Sequence, residues 1–241
     1  MTQNPATTPD IPVPANRPLV GVFWMLVTGA CFIGVTALVK YMGPRLPSAE
    51  AAFLRYAMGL VFVLPILRSL LSTPVSKRQW GLFGLRGFFH AGGVILWFYA
   101  MTRLPIAEVT AMNYLAPIYV TVGAAIFLGE KLAARRIVAV CLGLAGAAII
   151  LRPGFREVST GHLAMLLAAV VFAGSYLLAK VLADEARPVM IVTMLSIFVT
   201  IGLAPFAFTV WITPTVQELL ILAGVAFFAT AGHFTMTLAF A

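Results

Sequence analysis

Charge is scarce in this sequence: Asp, Glu, Lys and Arg together supply 10% of 241 residues. A domain folded in water needs a polar surface, so the shortage excludes an ordinary soluble protein. Cysteine is almost missing as well. Cys31 and Cys141 both fall in apolar runs, and with three histidines in all, no Cys/His spacing suits zinc or a disulfide framework. Also missing are a nucleotide-binding loop, a Ser/His/Asp set, a metalloprotease signature and paired catalytic carboxylates. The sequence therefore points away from an enzyme, and no metal or cofactor is expected.

What remains is apolar. Hydrophobic residues make up 61% of the chain, and the mean hydropathy is +1.01. Stretches of about 18 to 24 apolar residues recur, each long enough at about 1.5 Å per residue to cross a hydrocarbon core of about 30 Å. They run from Leu19 to Val39, Ser48 to Leu67, Trp80 to Met101, Ile106 to Leu128, Ala134 to Leu151, Gly161 to Leu182, Val189 to Trp211 and Val216 to Ala241. The expected fold class is an all-α polytopic membrane protein with eight transmembrane helices.

Short breaks such as "GPRLP", "TRLP", "GEKLAARR" and "ADEARP" carry the charge and the helix-ending Pro and Gly. Residues 1–18, "MTQNPATTPDIPVPANRP", lack the basic start and apolar core of a secretory signal and read as a disordered tail. The net charge of +8 is spread over loops a few residues long, which argues against nucleic acid as a partner and for a role in orientation. With the N-terminus inside, nine Lys and Arg fall on the cytoplasmic side, five fall outside, and Arg55 and Arg86 lie within spans. The positive-inside rule then favours a cytoplasmic N-terminus.

The chain also repeats itself. "MLVTGACFIGVTALVK" at 25–40 returns as "MLLAAVVFAGSYLLAK" at 165–180, pairing Gly21 with Gly161, Phe32 with Phe172, Gly34 with Gly174, Lys40 with Lys180 and, farther on, Pro65 with Pro205. A one-residue slip then pairs Phe88 and Phe89 with Phe227 and Phe228, and Gly93 with Gly232. The first helix of the second unit is the sixth span, so the unit is five helices long. An odd number of crossings inserts the second unit upside down, the inverted-repeat plan of secondary transporters.

"EAAFLRYAMGLVFVLP", "RGFFHAGGVILWFYAMTRLPIAEVTAMNYLAPIYVTVGAAIFLGEKL" and "GLAGAAIILRPG" resemble the EamA type of the drug/metabolite transporter superfamily. The resemblance implies a ten-helix bundle of two inverted five-helix repeats. On that plan the domains are a tail at 1–18, a first repeat at 19–153 and a second at 160–241 that has three helices and lacks the last two. It also implies an inner-membrane secondary carrier of bacterial type, moving a small metabolite or drug-like solute by alternating access. Its partners would be the bilayer and a small-molecule substrate, with proton coupling and a homodimer as further expectations. The alternative is a truncated, non-transporting membrane protein or assembly partner.

An ionisable group at the centre of a span costs about 2.5 to 3.5 kcal/mol on insertion scales, so each one needs a partner or a purpose. Arg86, His90, Gly93 and Trp97 fall at i, i+4, i+7 and i+11, one stripe of one helix. Arg55, in the "FLR" motif, lies too deep for loop charge. Asn113 and Tyr114 precede Pro117, whose missing N–H frees a backbone carbonyl. Tyr176 and His233 are the polar groups the second unit offers. Arg55, Arg86, His90, Trp97, Asn113, Tyr114, Tyr176 and His233 are thus the substrate-cavity candidates, with Gly93 and Pro117 as helix-break or packing positions.

Overall fold

In a computed structural model, the residues described are 18–62, 64, 74–130, 133–151 and 157–239. They form nine helices: α1 (Pro18–Met42), α2 (Ser48–Val61), α3 (Lys77–Arg103), α4 (Ile106–Asn113), α5 (Leu115–Phe127), α6 (Ala134–Leu151), α7 (Thr160–Ala183), α8 (Pro188–Thr209) and α9 (Val216–Ala239). Most of the N-terminal tail, Pro65, Lys131, Arg152, Arg156 and the last two residues lie outside that set.

Local chemistry sets the helix ends. Three N-termini carry a reciprocal capping box. Ser76 and Gln79 open α3, Ser159 and His162 open α7, and Thr215 and Glu218 open α9, each pair satisfying backbone donors that the first turn leaves over. Two helices stop at a left-handed glycine, a conformation that disfavours a Cβ. Gly43 (φ +78°) returns its N–H to Val39 O at 3.2 Å after α1. Gly129 (φ +68°) follows α5, where the N–H of Glu130 reaches Ala124 O at 3.3 Å.

Among the described residues, six segments are long and apolar enough to cross a membrane: Leu19–Met42, Lys77–Arg103, Ile106–Phe127, Thr160–Ala183, Val189–Thr209 and Val216–Thr235. The chain is all-α and polytopic, as its hydropathy implied. Of the other two expected spans, α2 is described over 14 residues and α6 over 18. The fourth span is not one straight helix. Pro117 cannot donate to the carbonyl of Asn113, and the helix breaks there into α4 and α5 around Tyr114.

The most extensive helix pairings are α1 with α9 and α3 with α7, followed by α3 with α8 and α2 with α8. Under the 139/140-residue register the first two pairings exchange with one another, α2 with α8 maps onto itself, and α3 with α8 exchanges with the smaller contact of α2 with α9. Small residues let the pairs approach. A Cβ on Gly34 would meet the Phe228 ring at 3.4 Å, and one on Gly174 would meet Phe89 at 3.2 Å. Likewise a Cβ on Gly93 would lie 2.8 Å from Phe172, and one on Gly232 would lie 3.3 Å from Phe32. In each set the second contact joins the repeat mates of the residues in the first.

The main core joins Val35, Trp97, Met101, Met112, Met165, Phe172, Leu203 and Leu222 from six helices. A smaller cluster of Phe83, Leu182, Met190, Ile191 and Met194 closes the end where α3 begins. Outward-facing side chains are large and apolar, among them Leu19, Phe88, Ile126, Leu142 and Phe227. In water such a surface would drive aggregation; in lipid it is the required one.

Candidate functional site

The stripe read along α3 faces inward. Arg86, His90, Gly93 and Trp97 are all buried, because their 3.6-residue spacing places them on the side of α3 that meets α7 and α8. Arg86 Nη1 donates to the carbonyl oxygen of Ile191 on α8 at 2.7 Å. Its Nε finds no acceptor, nor does the indole N–H of Trp97 about three turns farther on. Two buried donors without protein partners are costly in an apolar interior. They are also what a solute carrying acceptor groups would need.

His90 sits in an aromatic box. Its ring centroid lies 4.9 Å from that of Phe172, 6.2 Å from Tyr56 and 6.3 Å from Tyr176, and Nδ1 is 3.2 Å from Ser175 Oγ. Phe172 and Tyr176, one turn apart on α7, stack with rings 22° from parallel. Arg55 is buried and holds its guanidinium carbon 3.8 Å above the Tyr56 ring, close enough for cation–π attraction. The aromatic run continues from Trp97 to Phe32 at 6.2 Å and from Phe32 to His233 at 5.5 Å.

Six of the eight candidates, Arg55, Arg86, His90, Trp97, Tyr176 and His233, thus border one aromatic-lined region contributed by α1, α2, α3, α7 and α9. Asn113 and Tyr114 are not brought to it: Asn113 is half-buried, and Tyr114 is 65% exposed at the α4–α5 break. Gly93 lies in an unbroken helix as a packing position against Phe172, and exposed Pro117 sits next to the break.

Three rings in the region, Phe32, Tyr56 and Phe172, escaped the sequence reading. A signal was available, since Phe32 and Phe172 are repeat mates and Tyr56 follows Arg55, but aromatic residues are too common in apolar spans for either clue to stand out. Glu50 and Arg55 do not pair. Glu50 is fully buried and its Oε2 accepts from the Ile212 N–H at 2.9 Å, while Oε1 is unpartnered. Glu108 is buried and lies 3.0 Å from His162 Nε2.

The paired lysines differ in use. Lys40 donates to Leu104 O at 2.7 Å, whereas Lys180 bonds the Glu130 carboxylate, which also accepts from Arg136 at 3.1 Å. Those two cations hold the Glu130 carboxyl below the ordinary glutamate range, Lys180 contributing first. Beside them opens a surface cavity of about 290 Å³ lined by Leu128, Glu130, Lys180, Val181, Asp184 and Glu185. It belongs to the face of the bundle and is separate from the buried region. No cluster of three or more His, Cys, Asp or Glu suited to a metal occurs among the described residues.

Comparison with known proteins places the chain among membrane transporters. The model of the EamA-like transporter family matches residues 19–152. A riboflavin transporter of Vibrio cholerae serotype O1 is 33% identical over 87% of this chain and 73% of its own length. An S-adenosylmethionine uptake transporter of Rickettsia bellii is 26% identical over 84% of this chain and 70% of its own. One solved crystal structure, 20% identical, superposes over 91% of this chain and 78% of its own with a TM-score of 0.61, a likeness of fold.

Proposed function

The chain belongs to the EamA-like transporter family, and from that premise we propose that it is an inner-membrane secondary carrier working by alternating access, with the Arg/His/aromatic region as its substrate site. That it is a small-metabolite transporter and not an enzyme follows from its relatives. The substrate, we propose, is a flat heteroaromatic metabolite bearing hydrogen-bond acceptors, with riboflavin the first compound to test. The buried donors of Arg86 and Trp97 among the rings of Phe32, Tyr56, Phe172 and Tyr176 are the observation that carries this choice. Rings would stack on the solute's faces and the donors would meet its acceptors, each paired donor recovering part of its desolvation cost.

The two-unit organisation, at 19–153 and 160–241, belongs to the same proposal. The exchange of helix contacts and of glycine–phenylalanine pairs supports it. The cytoplasmic N-terminus, on the charge distribution, and proton coupling through His90, the titratable ring inside the site, are parts of the same proposal.

Reconstitution of the chain in liposomes tests the reading. Saturable riboflavin flux is expected, and it should be lost in Arg55→Ala and in Arg86→Ala while both variants still insert and elute as single species. Normal flux in both variants would remove the site assignment. The second reading, a non-transporting membrane protein, stands if the parent chain gives no saturable flux with any heteroaromatic solute.

A further inference from the structure

The bundle is closed at its two ends by the same joint built twice with the charges exchanged. Where α1 ends and α9 begins, Arg45 in the α1–α2 connection forms a bidentate ion pair with Glu218, its Nε lying 2.6 Å from Oε1. Glu218 is also the closing residue of the capping box of α9, accepting from the backbone N–H of Thr215 at 2.7 Å. At the other end, where α3 begins and α7 ends, Glu185 in the α7–α8 connection pairs with Arg78. The carbonyl of Glu185 accepts from Gln79 Nε2 at 2.9 Å, and Gln79 is the closing residue of the capping box of α3.

The register relates the two joints. Glu185 is the repeat mate of Arg45 at 140 residues, and the capping pair Thr215/Glu218 is the mate of Ser76/Gln79 at 139. Each joint therefore ties the connection after the first helix of one unit to the first turn of the third helix of the other. Both bridge the units at their rims. The aromatic region lies between them, since Arg78 and Arg103 fall near the two ends of α3 and His90 near its middle.

We propose that the Arg45–Glu218 and Arg78–Glu185 pairs are the two gates of the carrier, one on each membrane face, both shut in this structure. The inference rests on the alternating-access reading above. A partly exposed ion pair is worth up to about fivefold in an equilibrium. That is enough to bias the bundle toward closure on one face and weak enough to yield when substrate binds. Charge exchange between the two joints keeps each pair attractive within its own face while making the two faces differ in the sign carried by the first-helix connection.

Access labelling tests the gates without any substrate. In the full chain with Cys31→Ser and Cys141→Ser, Tyr176→Cys serves as reporter, and a membrane-impermeant maleimide is applied to right-side-out and to inverted vesicles. Arg45→Gln is expected to raise labelling by about twofold to fivefold from one face only, and Arg78→Gln from the opposite face only. The charge-swapped pair Arg45→Glu with Glu218→Arg is expected to return labelling to the parent rate.

Labelling that is unchanged, or that rises alike from both faces, overturns the proposal, as does a swapped pair that labels like Arg45→Gln. If a single variant fails to insert, the swapped pair decides alone. Sided labelling in a chain without riboflavin flux would sink the substrate reading and keep the gates. Flux with unsided labelling would do the reverse.

Discussion

Gly93 and Phe172 touch so closely that a Cβ on the glycine would lie 2.8 Å from two ring carbons. The same ring is 4.9 Å from His90, so the packing of α3 on α7 and the lining of the candidate site are one contact. Gly93→Ala is expected to cost about 1 to 3 kcal/mol by overpacking and to lower transport by displacing Phe172. Gly87→Ala should be worse. There the added carbon would meet the Cβ of Phe198 at 2.4 Å and its backbone at 3.1 Å, and a backbone cannot rotate away. Gly29→Ala and Gly146→Ala, with open space, should be neutral or slightly stabilising. Thermal unfolding in detergent ranks the four, and equal shifts in all would show that this packing does not govern stability.

His90→Gln is expected to keep the fold, because an amide can still reach Ser175 Oγ, and to flatten the pH dependence of flux. An unchanged pH profile would return His90 to a packing role among its three aromatic neighbours.

Pro117→Ala restores an N–H that can reach the Asn113 carbonyl, and the α4–α5 break should heal toward a continuous helix. Stability is expected to rise by up to about 1 kcal/mol in the manner of a helix relieved of proline, with flux falling if the break serves the transport cycle. Equal flux in the variant would show that the break is dispensable.

Glu130, held below the ordinary glutamate range by Lys180 and Arg136, contributes stability that is present above about pH 4.3 and is lost as pH falls through its lowered value. The melting temperature of the parent should therefore exceed that of Glu130→Gln at pH 7 by a small margin that shrinks as pH falls below about 4.3. A margin that stays constant as the solution is acidified would mean that the carboxylate's charge is not the cause.

Much of this was legible along the chain, for reasons that differ by residue. The inward stripe of Arg86, His90, Gly93 and Trp97 follows from helical spacing alone, and Arg55 was marked by a charge too deep for a loop. Asn113 and Tyr114 show the limit. Pro117 marked a break, but a break turns side chains as readily outward as inward, and Tyr114 ends 65% exposed.

By itself the sequence determined that the protein lives in a bilayer, that its chain is helical, and that its units recur in a fixed register, because hydropathy and periodicity are properties of neighbours along the chain. Only the tertiary structure decided that Phe32, Tyr56 and Phe172 join the buried arginines, that Arg45 meets Glu218 and Arg78 meets Glu185, and that Glu50 turns to the Ile212 backbone instead of Arg55. Those contacts join helices far apart in sequence. Which of many chemically acceptable partners a side chain meets is set by how closely two backbones approach, and here glycines facing phenylalanines set that distance.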